Sequence, residues 1–315
     1  MPAVLTHDFF GQDVYDKARG FFGDGQDARD AFLLGNQGPD PLFYLVVLAN
    51  KSARDFVKLG SRMHHDSPSK LLASMAAAVG LCPVNDRDIA RAYAAGFMCH
   101  YTLDSNMHPL VYAQQYAICN AGVEGLTEAD GSDVHAEIER DWDEMVLYTK
   151  TGKTIRTYKP YEEVLKASDH TLSIIDDMLS FAIKQTYDLD IPNNLFTQAV
   201  RRFRLTQKGF YSPDKVRHHA VGAIETKLLR RNQSFYAAMA HRDRASLDSD
   251  FDNRDHLPWT NPYVDEVRTD SFWDIFDNSQ DLAVSNIERM LAPGFNVSQA
   301  QEITQGLDFS GKPAE

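Results

Sequence analysis

Residues 97–110, FMCHYTLDSNMHPL, set His100, Asp104 and His108 at i, i+4 and i+8. At about 100° per residue the three stay within an arc of roughly 80° on one face of a helix. Ile89, Tyr93, Gly96 and Phe97 precede them on the same stripe, so that face is apolar and turned to a core. Imidazoles and carboxylates buried without partners cost free energy. Ordinary i, i+4 ion pairs would satisfy some of them; a shared divalent cation would satisfy all three. His135 and Glu139 in VHAEIE (134–139) repeat the spacing.

Three further stretches bring similar groups. Asp40 sits between two prolines in GPDPLFY (38–44), where it can cap a helix with Pro41 at the first helical position, aim a ligand, or do both. His7 lies in LTHDFFG (5–11), and His64 and His65 lie in RMHHDSPSK (62–70). Six of the eleven histidines thus fall within the first 135 residues, and a donor set of imidazole and carboxylate suits zinc. The later histidines, 170, 218, 219, 241 and 256, have no carboxylate at ligand spacing and stay unassigned.

The elements that must position these groups are helices. The 3.6-residue spacing predicts helices over 6–21, 26–34, 41–59, 68–79, 86–107, 133–149, 160–186, 195–209, 213–241 and 270–291, while β-like alternation is scarce. The expected fold class is all-α, a multi-helix bundle with a multinuclear metal site between helices. Pro109 disfavours a helical conformation at His108, so the helix of the triad is expected to end there. Residues 1–150 read as the metal-site core and 151–315 as a C-terminal helical part packed on it as one globular unit. The long polar stretch 241–262 reads as a lid or a strap.

Composition narrows the function classes. The net charge of −13, from 32 bases and 45 acids, argues against a non-specific nucleic-acid binder. The apolar runs 42–49 and 71–82 fall short of the roughly 20 residues that span a bilayer. The first residues, MPAVLTHDFFGQD, lack a basic start and an apolar core of signal-peptide length. Cys82, Cys99 and Cys119 are odd in number and form no CxxC pair, so a cytoplasmic protein is expected. The basic stretch 201–219 reads as a solvated helix face.

In order along the chain, His7, Asp40, His64 or His65, His100-x3-Asp104, His108 and His135-x3-Glu139 resemble the zinc-dependent phospholipase C family, which shares its fold with the single-strand-specific zinc nucleases. The resemblance covers about residues 4–150 and rests on GPDPLFY, HYTLD, HP and the HxxxE pair. It implies that Asp40, His64, His100 and Asp104 hold one zinc. Asp104 would bridge to a second ion at His7, and His108, His135 and Glu139 would hold the remaining one, so two or three ions are expected. Alignment of SRMHHDS prefers His64 to His65. The gap from Asp104 to His108 is shorter than in the secreted members. The resemblance further implies a phosphoester hydrolase in which zinc-activated water attacks a phosphodiester or phosphomonoester, the expected substrate being a small phosphoester or a phospholipid head group. Asp40, or else Glu139, would orient or deprotonate the water. Two other readings compete. One is an HD-type metal phosphohydrolase, suggested by HHD at 64–66; the other is a non-catalytic scaffold stapled by metal.

Overall fold

The computed structural model describes residues 3–47, 56–122, 127–211 and 241–314, and the chain is an all-α multi-helix bundle. Helices α1 (Val4–Ala18) and α2 (Gln26–Gly35) lead into a 3-10 helix at Asp40–Val47. Then come α3 (Leu59–His65), α4 (Pro68–Leu81), α5 (Arg87–Cys119) and α6 (Gly131–Thr151). The second half supplies α7 (Pro160–Glu163), α8 (Asp169–Tyr187), α9 (Leu195–Phe210), α10 (Phe272–Leu291) and α11 (Val297–Thr304). A short antiparallel hairpin pairs β1 (Trp259–Thr260) with β2 (Val267–Arg268). No helix among the described residues is long and apolar enough to cross a membrane.

Helix α5 is the axis. Its 33 residues reach about 50 Å at 1.5 Å per residue, and α1, α2, α4, α6 and α10 all pack on it. Every residue from Ala92 to Asp104 is buried, so the helix is enclosed all round rather than along a single stripe. Small residues permit this. At the crossing of α2 with α5 the backbones touch: a Cβ on Gly96 would lie 2.1 Å from the Phe32 carbonyl oxygen. The turn after α2 runs under His100 in the same way. Gly38 has φ +49°, and a Cβ there would lie 2.2 Å from the His100 ring. Gly38→Ala should therefore cost about 1–3 kcal/mol through overpacking and displace the His100 ring; chemical denaturation and metal content would both report it.

Several boundaries depart from the expected ones. Helix α5 does not stop at His108 but runs through Pro109 to Cys119. The missing N–H of Pro109 leaves the Ser105 carbonyl without its helical donor, a cost of about 3 kcal/mol. Burial of Leu110 and Val111, each 1% exposed, offsets it. The expected helix 160–186 breaks at Leu165, whose φ is +60°, and restarts where the Ser168 side chain accepts from the Thr171 amide. In place of one helix over 41–59 there is the 3-10 helix, begun by Leu42 N–H donating to the Pro39 carbonyl, and then α3; residues 48–55 between them lie outside the description. The expected helix 213–241 falls almost wholly on 212–240, also outside the described residues, as do His218 and His219. Helix α11, opened by a capping box of Asn296 and Gln299, was not anticipated.

Candidate metal centre

Five elements each present donor groups to one buried place. His7 comes from the first turns of α1, Asp40 from the start of the 3-10 helix and His64 from the end of α3. His100, Asp104 and His108 come from successive turns of α5, and His135 and Glu139 from α6. The uninterrupted path of α5 through Pro109 keeps His108 in register with Asp104, so the short spacing still delivers His108 to His135 and Glu139. Three groups have donor atoms close enough to hold a metal ion: His7, His100 and Asp104; Asp40, His64 and His100; His108, His135 and Glu139. All eight residues picked out by spacing are brought together, whereas His65 is not in any of the three groups.

The donor pairs within the centre stand 3.1–3.5 Å apart, distances that suit long hydrogen bonds and neighbouring ligands of one ion alike. Asp104 faces two ways, with Oδ1 3.1 Å from His7 Nε2 and Oδ2 3.1 Å from His100 Nε2. His64 Nε2 is 3.2 Å from Asp40 Oδ1, His135 Nε2 is 3.3 Å from Glu139 Oε1, and His108 Nε2 is 3.5 Å from the same oxygen. Nitrogen and oxygen ligands about 2.0–2.1 Å from a tetrahedral ion stand about 3.3 Å from one another. Charge-assisted hydrogen bonds close to about 2.7–2.9 Å. Among the described residues, His65 with Asp308, His170 with Asp86 and His241 with Asp143 do so at 2.9 Å, whereas exposed His256 stands 3.3 Å from Asp274.

The far nitrogens of four of the five histidines are fixed as metal-binding imidazoles require, whereas His7 Nδ1 is buried without a hydrogen-bond partner. Nδ1 of His64 donates to the Gly60 carbonyl (2.7 Å), that of His100 to Asn36 (3.0 Å), that of His108 to Phe309 (2.9 Å) and that of His135 to the Gln115 side chain (3.1 Å). Each bond sets the tautomer and leaves the Nε2 lone pair for a cation. Buried His100 Nε2 has no hydrogen-bond partner, although the Asp104 carboxylate is beside it. A buried acceptor in that state is what a cation would satisfy, so the donor set fits a metal. The groups open on a cavity of about 110 Å³ that Phe43, His65, Tyr112 and Ser310 also line.

Electrostatics of the metal-free centre follow from its burial. Burial alone would raise Asp104, yet the charges of His100, His108 and His7 hold its carboxyl well below the usual range. Burial would lower His108, but Asp104 and Glu139 outweigh it and lift that imidazole to about 9. Without metal, the stabilisation from Asp104 is present above its ordinary 3.8 and is lost as pH falls toward its folded value. That from His108 is complete below 6.5 and is lost as pH rises through about 9. A metal must displace the His108 proton, so binding near pH 7 should release protons, and apparent affinity should rise up to about tenfold per pH unit for each proton expelled, levelling above about 9. Calorimetric titration in buffers of different ionisation enthalpy measures this; binding that releases no proton at pH 7 would contradict it.

Residues near the chain's end were missed by sequence reasoning. The tail from Leu307 to Ala314 lies over the centre: Phe309 N–H donates to the His64 carbonyl (3.1 Å), and the Phe309 ring packs on His64 and His100 at 5.2 and 5.8 Å. Asp308 pairs with His65, and Ser310 hydrogen-bonds Tyr112. The only signal in LDFSGKP (307–313) is an Asp-to-Gly turn. The stretch 241–271 is a strap on α6, where Arg242 pairs with Asp141 and Glu144. Its Tyr263 meets Tyr112 at 5.7 Å. Three of the later histidines pair with carboxylates outside helical spacing, His170 with Asp86, His241 with Asp143 and His256 with Asp274.

Fold and site together define an all-α bundle whose buried histidines and carboxylates can hold metal ions. No known family, curated protein or solved structure matches the chain.

Proposed function

We propose that the chain is a zinc-dependent phosphoester hydrolase of the phospholipase C type. The observation that supports this best is the gathering of eight buried or half-buried donor side chains into three groups that could each hold an ion, seven of the eight lining one cavity. Asp40, His64, His100 and Asp104 would hold one zinc, His7 and the second oxygen of Asp104 another, and His108, His135 and Glu139 a third. Zinc bound there supplies Lewis acidity, polarising phosphoryl oxygens and making a water acidic.

The side chains divide the remaining work. Asp40 orients the attacking water or takes its proton, with Glu139 the second candidate. The cavity of about 110 Å³ admits a small group such as a phosphoryl, leaving the rest of the ester outside. An opening of this kind supports an enzyme over a metal-stapled scaffold, whose coordination would be closed to water. The HD-type reading loses its second residue, because Asp66 is exposed and pairs with Arg62 at 3.3 Å.

Elemental mass spectrometry on protein purified without chelator, beside His100→Ala/Asp104→Ala, tests the reading together with a phosphoester panel. Two to three zinc ions per chain, mostly absent from the double variant, and hydrolysis of at least one monoester or diester are expected. Zinc-replete protein that hydrolyses none of the panel would refute the enzyme.

A further inference from the structure

His7 is held differently from the other histidines of the centre. Its buried Nδ1 has no hydrogen-bond partner, its Nε2 stands beside Asp104, and its ring lies 4.4 Å from that of His100. The backbone just before it is tied instead. Helix α1 has no side-chain cap of its own at Ala3, and the first amides of a helix lack helical acceptors. Asp143 of α6 takes two of them. Its Oδ2 accepts the Leu5 amide at 3.1 Å; its Oδ1 accepts the Thr6 amide at 2.7 Å and the Thr6 hydroxyl at 2.8 Å. His241 Nε2 donates to Oδ2 at 2.9 Å and links the carboxylate to the strap. Asp143 is fully buried and is not among the residues lining the metal cavity. Two donors on each oxygen fill a carboxylate's ordinary capacity.

We propose that Asp143, backed by His241, is a positioning residue that sets His7 for its metal ion. The inference rests on the metal-centre reading above and not on hydrolysis. Ligand atoms bind an ion only within about 0.2 Å of their ordinary distances. A ring without an outer hydrogen bond must take that precision from its backbone, and the residue before His7 carries two of the four bonds to Asp143. A carboxylate also suits the positive end of the α1 dipole. Asp143 lies one turn beyond Glu139 on α6, so the same side chain fixes the spacing between the His7 and Glu139 groups. The chain contains its own control. Asp176 of α8 caps α9 in the same fashion, accepting the amides of Phe196 (2.9 Å) and Thr197 (3.2 Å) and the Thr197 hydroxyl. Helix α9 carries none of the eight metal-site donors.

The test titrates full-length protein with zinc against a chromogenic chelator, beside His7→Ala, which marks the ion that His7 holds. Asp143→Asn and His241→Phe should weaken that ion by about 10–100-fold, the usual effect of losing an outer partner, and leave the others at parental affinity. Thr6→Val drops the hydroxyl bond alone and should fall between these variants and the parent. Asp176→Asn should lose stability to urea as Asp143→Asn does, yet keep every zinc affinity. Folded Asp143→Asn that weakens all ions equally, or none, would overturn the proposal, as would the same metal loss from Asp176→Asn. If Asp143→Asn does not fold, His241→Phe and Thr6→Val decide by the same readings. A parent that binds no zinc would overturn the metal centre and this inference with it. A zinc-loaded parent inert on the phosphoester panel, with the His7 ion selectively weakened in the variants, would overturn the hydrolase alone and support the positioning role.

Discussion

Asp104→Ala is expected to empty the centre between α1, α3 and α5 and to lower phosphoester hydrolysis by about 10³-fold or more, the equivalent of several kcal/mol of transition-state stabilisation. Its two oxygens face different histidines, each at 3.1 Å, and His64 and His108 stand farther out at 3.9 and 3.8 Å. Loss of this carboxylate would therefore undo two ions at once, leaving at most the one at His108, His135 and Glu139. The fold should survive. Without Asp104, His7 loses the largest influence that raises its imidazole, and burial then favours its neutral form. Asp104→Asn keeps a carbonyl oxygen but not the charge and should retain an intermediate amount of zinc. His170→Ala is the control: its pair with Asp86 is surface-exposed, and such pairs are worth about 1 kcal/mol or less. Circular dichroism separates metal loss from unfolding. A folded Asp104→Ala that still carries the full zinc complement would end the assignment of Asp104 as a bridge.

What could be read from the chain was what helical register determines locally. His100, Asp104 and His108 share a face because they are four apart, and the same holds for His135 and Glu139. Val134, Ile138, Trp142 and Met145, spaced by four, four and three along α6, are all buried. Asp40 does start a helical turn, but a 3-10 one, and its carboxylate is buried beside His64. Local rules failed where packing outweighed them. Pro109 argued for an end to α5, but Leu110 and Val111 directly beyond it are buried, and their burial offsets a proline's cost. Partners distant in sequence left no trace in the spacing. The groups that fix His108 and His65 come from 201 and 243 residues further along the chain.

That distance makes Phe309 the second place where one substitution should have a large effect. Phe309 is fully buried, its ring standing against His64, His100, Phe97 and Tyr101 at 5.0–6.1 Å. Truncation to Ala should cost about 3–5 kcal/mol, the range for a buried phenylalanine. The loss has a second component that ordinary core residues lack. The Phe309 carbonyl accepts from His108 Nδ1 and its amide donates to the His64 carbonyl, so a slackened tail loosens two metal-site histidines together. Outer partners of metal-bound histidines are worth about 10–100-fold in affinity, and Phe309→Ala should lose metal affinity on that scale while all eight donors remain. Phe309→Leu keeps most of the apolar volume and should fall between the two. Urea unfolding of chelated protein gives the first quantity, and competition with a chromogenic zinc chelator gives the second. If Phe309→Ala lost stability but bound zinc as tightly as the parent, the tail would be packing alone. If affinity falls as well, the centre is built from both ends of the chain.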